Sequence, residues 1–126
     1  MHDLKVNNSR IQYLNAAERN LVRHAMQVLA WGPFIRDSEF QTVIGVERSE
    51  LLRMVDAWPE AVVSSQAEHD PVRLQEIATS GVLYNLQEFP HREQDRLWTE
   101  LGFSRKELNV LIQRWEVPEP PWTDLG

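Results

Sequence analysis

The chain has 126 residues, 42% of them hydrophobic, with five Trp, four Phe and two Tyr, which suits one globular domain and lies far from disordered compositions. It contains no Cys, which excludes disulfides, thiolate metal sites and cysteine nucleophiles. A formal net charge of −6 works against nucleic acid, whose binding draws on Lys and Arg at phosphates.

The opening MHDLKVNNSR lacks the apolar centre of a signal peptide, and no stretch approaches the ~18 apolar residues of a membrane span. A cytoplasmic protein with no membrane partner is expected. Leu14, Ala17, Leu21, Val22, Ala25, Val28 and Leu29 recur at three-and-four spacing and predict a helix from about Asn15 to Trp31. Asn15 and Glu18 have capping-box spacing at its start, and Gly32-Pro33 stops it. A short helix from about Ser38 to Ile44 ends at Gly45, and a third runs from about Glu47 to Trp58 and stops at Pro59. Residues 61–70 read as a linker. Asp70-Pro71 caps and opens the next helix, whose buried stripe is Leu74, Ile77, Ala78, Val82 and Leu86. Ser104 and Glu107 form a capping box for a last helix that turns Leu108, Leu111, Ile112 and Trp115 inward. Residues 118–126 form a proline-rich tail carrying Trp122.

The pattern repeats. Gly45-Val46-Glu47-Arg48-Ser49-Glu50-Leu51 aligns with Gly102-Phe103-Ser104-Arg105-Lys106-Glu107-Leu108, an offset of 57. The same register pairs Leu29 with Leu86, Pro33 with Pro90, Thr42 with Thr99 and Trp58 with Trp115. The expected fold is all-α: about six helices in a single domain, as two pseudo-symmetric three-helix repeats (about 14–60 and 71–117) in one orthogonal bundle. Trp58 and Trp115 are expected as matched core anchors. Arg48 with Glu50, and Arg105 with Glu107, are expected to cap helix ends or pair across the copies.

Over about twenty residues of each copy, the short helix, the Gly turn and the following helix with Arg and Glu near its start resemble the helix-turn-helix of DNA-binding proteins. The resemblance implies a major-groove face made by Arg105, Lys106, Asn109 and Gln113 in the second copy and by Arg48, Ser49, Leu52 and Arg53 in the first. Helix-Gly-helix corners also arise wherever a chain must turn between packed helices. Charge argues for that plainer origin in the first copy, where Glu47, Glu50, Asp56 and Glu60 surround two Arg.

His2, His24, His69 and His91 are scattered without metal-ligand spacing, and no phosphate loop or nucleophile elbow is present. No catalytic residue, metal ligand or cofactor is assigned. The expectation is a non-enzymatic interaction or regulatory protein that binds a protein partner or a second copy of itself through its helical surface and tail. Its candidate interaction residues are Arg105, Lys106, Asn109, Gln113 and Trp122. A helix-turn-helix regulator acting through the second copy is the alternative, and a small-molecule pocket between the copies is a third possibility.

Overall fold

A computed structural model of the chain describes residues 10–61, 70–88, 91 and 93–117. A single 3-10 turn, Arg10–Tyr13, precedes six α-helices: α1 (Ala16–Trp31), α2 (Asp37–Ile44), α3 (Arg48–Ala57), α4 (Pro71–Glu88), α5 (Gln94–Leu101) and α6 (Arg105–Glu116). No strand occurs among the described residues. Helices α1, α4 and α6 start where the sequence predicts, and α2 and α3 within a residue of it. Asn15 and Glu18 exchange both bonds of a capping box on α1, Ser104 and Glu107 do the same on α6, and Asp70 accepts from the amide of Val72. The 3-10 turn is not anticipated by the sequence pattern.

The two long helices, α1 and α4, pack on each other, α3 lies on α1 and α6 on α4. The short helices cross over: α2 packs on α4 and α5 on α1. Exchanging the two copies of the sequence repeat therefore maps these pairs onto one another. The contact of α2 with α3 has no counterpart of the same extent. Gly45 and Gly102 end the short helices in the left-handed conformation, φ 100° and 74°, as a sharp corner after a helix requires.

The core runs through all six helices, from Val22, Met26 and Leu29 through Phe40, Ile44 and Leu51 to Leu83, Leu86, Leu97, Leu108, Leu111 and Trp115. Trp115 meets its expectation as an anchor, fully buried with its indole N–H donated to Ser80 Oγ at 2.8 Å. Its counterpart Trp58 does not: it is only partly buried at the edge of the core, because α3 ends one residue before it. Ala17, in the first turn of α1, is exposed rather than part of its buried stripe. The tail, including Trp122, and most of the expected linker lie outside the described residues.

Candidate interaction face on the last helix

The corner from α5 to α6 is built around Phe103, whose buried side chain follows Gly102 into the core. Phe103 meets the Trp98 ring edge-on, with centroids 6.3 Å apart, and the Arg105 guanidinium lies 4.4 Å above that same Trp98 ring. The three side chains form one stack that holds the first turn of α6 against α5. Next to the stack, His91 donates its Nε2–H to the buried Asn85 Oδ1, while its buried Nδ1 has no partner. Burial, and then the charge of Arg105, hold the His91 pKa below the usual histidine value.

Further along α6, Asn109 Oδ1 accepts from Gln87 at 3.3 Å and Arg114 Nε donates to Glu18 Oε2 at 3.0 Å. At its end, the Arg10 guanidinium lies 4.6 Å over Trp115 and donates to the Trp115 carbonyl. Tyr84 donates its hydroxyl to Glu116. Its pKa is pushed up to about 12 by burial, then by that hydrogen bond and the Glu116 charge. Helix α6 is thus fixed at both ends and along both sides.

With Leu108, Leu111, Ile112 and Trp115 in the core, the opposite side of α6 faces outward. Arg105, Lys106, Asn109 and Gln113 are all exposed on this helix, so the structure brings together every described residue of the expected interaction set. It also adds two that charge and polarity could not flag. Val110 is 53% exposed and falls in line with Lys106 and Gln113 at helical spacing, and Val117, 63% exposed, follows the last residue of the helix. The signal was present in the sequence as two Val placed opposite the apolar stripe.

The corresponding corner of the first copy is different. Arg48, expected there as a DNA-facing residue or a partner of Glu50, turns inward. Its guanidinium donates to the carbonyls of Leu29, Ala30, Gly32 and Ile35 at 2.8–3.4 Å, pairs with Asp37 at 3.0 Å and lies 4.4 Å from the Phe40 ring. The free carbonyls at the end of α1 draw it in, because they carry the negative end of the helix dipole. Glu50 pairs with Arg53 instead, Leu52 packs against the core, and Glu107 is occupied in the α6 capping box. Arg48 thus caps the end of α1 and Glu107 the start of α6, as expected of helix-capping residues, while neither repeated Arg–Glu pair links the copies.

A groove of about 560 Å³ lies where α1 meets α5 of the other copy, lined by His24, Gln27, Val28, Trp31, Gly32, Arg96 and Glu100. It is open to solvent rather than enclosed. Trp31 is 72% exposed on its rim, and Arg96 is engaged by Glu93 and Glu100. Among the described residues, no three His, Asp or Glu side chains are grouped as a metal site would require, and no helix is long and apolar enough to cross a membrane. No protein-family profile matches the chain, and none of the curated proteins or solved structures compared with it is significantly similar.

Proposed function

We propose that the protein is a non-enzymatic interaction module and that the outward face of α6 binds protein. The observation that carries this reading is the line of Lys106, Val110 and Gln113 on a helix whose position is set by contacts along its length, followed by exposed Val117 just past its end. Apolar side chains left in water on a pinned helix lose their unfavourable hydration when a partner covers them, at no ordering cost to the helix itself. Arg105 and Asn109 flank the line and supply polar contacts of the kind found at interface rims.

Placing a photo-crosslinking residue at Val110, and separately at the exposed Asn20 of α1, tests this in the cell. Position 110 is expected to yield a discrete adduct of the chain with a protein, either another protein or a second copy, and position 20 to yield none. Equal adducts from both positions, or none from position 110, would overturn the reading.

A further inference from the structure

We propose that His91 and Asn85 form an acid-released latch that holds the α5–α6 corner closed. At the repeat offset of 57 these two residues stand where the first copy has Phe34 and Val28, both buried and neither able to titrate. The second copy thus puts a hydrogen-bonded polar pair, His91 Nε2–H to Asn85 Oδ1, where its counterpart has two apolar side chains in the core. Burying polar atoms costs desolvation that an apolar pair avoids, so the exchange weakens the packing and adds a ring that binds a proton. The latch is independent of what α6 binds.

The surroundings of the ring decide what a proton does there. Nδ1 is buried with no hydrogen-bond partner among the described residues. Helix α4 presents the neutral amide of Asn85, and the start of α5 presents Gln94, whose Oε1 accepts the His91 backbone N–H at 3.4 Å. Helix α6 presents Arg105, the charge that acts on the ring. The nearest carboxylates along the chain, Glu88 and Glu93, are exposed, and Glu93 pairs with Arg96. A proton on Nδ1 therefore finds no acceptor in the closed position and meets a like charge, whereas water satisfies it. His91 then leaves Asn85. Helix α5 packs on α1, and its links to α4 and α6 are this hydrogen bond before its first turn and the Trp98, Phe103 and Arg105 stack near its end. Trp98 Nε1 is also buried without a partner among the described residues, so no indole hydrogen bond holds the stack once the latch opens. Acid thus exposes the Trp98 and Phe103 rings and loosens the first turn of α6, while the core around α1, α3 and α4 stays folded.

Heteronuclear NMR of the full chain from about pH 7.5 to about pH 5, with amide exchange corrected for its intrinsic pH dependence, tests the latch. The His91 ring, the Trp98 indole N–H and the amides of Leu97, Leu101 and Phe103 are expected to move with one midpoint below 6.5. Protection at those amides is expected to fall about tenfold, while the Trp115 indole and the amides of α3 keep theirs. Writing the first copy's pair into the second, as His91→Phe/Asn85→Val, is expected to give a folded chain without the transition. His91→Gln, which keeps a donor to Asn85 but cannot titrate, gives the same result where the double variant does not fold. His24, which donates to the carbonyl of Glu100 on α5, remains in both variants, so a transition that persists in them overturns the latch. So does titration of His91 with the Trp98 and Phe103 signals unmoved, loss of protection in all helices at one pH, or no transition in the native chain.

Discussion

Gly81 of α4 and His24 of α1 stand at the same position of the repeat, and each meets the last turn of the short helix from the opposite copy. A Cβ built on Gly81 would overlap the carbonyl of Ile44, whereas His24 Nε2 donates to the carbonyl of Glu100 at 2.7 Å. The two crossings thus differ in closeness. One is backbone against backbone, and the other holds an imidazole between the helices.

Substitution at these two sites should separate the crossings. Gly81→Ala improves helix propensity by about 1 kcal/mol but forces α2 away from α4, and overpacking typically costs about 1–3 kcal/mol. We expect a net loss of up to about 2 kcal/mol, read as a lower urea midpoint with an unchanged slope. His24→Ala removes one exposed hydrogen bond and should cost under about 1 kcal/mol.

Arg48 should be the most sensitive charged residue of the first copy. Charge-assisted hydrogen bonds contribute about 1.5–3 kcal/mol, and Arg48→Ala strips the end of α1 of its donor, so a loss near 2 kcal/mol is expected in urea unfolding. Arg48→Lys should recover only part of this, because an ammonium cannot reproduce the guanidinium fork. Asp37 is 92% exposed, and Asp37→Ala should change stability by less than about 1 kcal/mol. Equal losses from Arg48→Ala and Asp37→Ala would show that the ion pair, and not the carbonyl clamp, matters.

His91 gives the fold an acid sensitivity. Its folded pKa lies below the ordinary 6.5, so the unfolded chain binds the proton more readily. Its contribution is fully present above pH 6.5 and is lost as pH falls from there toward the folded value. Urea midpoints at about pH 7.5 and 5.5 should therefore differ more for the native chain than for His91→Gln. An identical pH dependence in the two would rule out a role for His91.

Duplex DNA should not be retained even at about 50 mM salt. Arg48 is spent on carbonyls and Arg114 on Glu18, which leaves Arg105 and Lys106 on α6 of a protein with net charge −6. Binding that weakens steeply with salt, with a shallower slope in Arg105→Ala/Lys106→Ala, would favour the helix-turn-helix alternative.

Much of this architecture is readable along the chain, because its signals are local. The capping boxes at Asn15 and Ser104, the left-handed Gly45 and Gly102 and the inward face of α6 each depend on residues within a turn or two of one another. What periodicity does not reveal depends on how the helices pack. Arg48 is expected to cap a helix end, but nothing local says which, since its carbonyl partners come within reach only once α3 is packed on α1. Buried Gln75 and Asn85 are likewise hidden, because their neighbours in α4 give no hint of the partners they find: the carbonyl of Pro59 and the ring of His91. Of the candidate face, the polar residues are legible by type, while the exposure of Val110 and Val117 is read from the structure.

The outward face of α6 can be tested most directly by brief formaldehyde fixation of the tagged chain in the cell, followed by size analysis of the adducts. The native chain should appear in a defined adduct larger than the tagged monomer, and Val110→Asp/Val117→Asp, folded to the same helicity, should run as the monomer. An adduct of the same size and abundance in both chains would contradict the account.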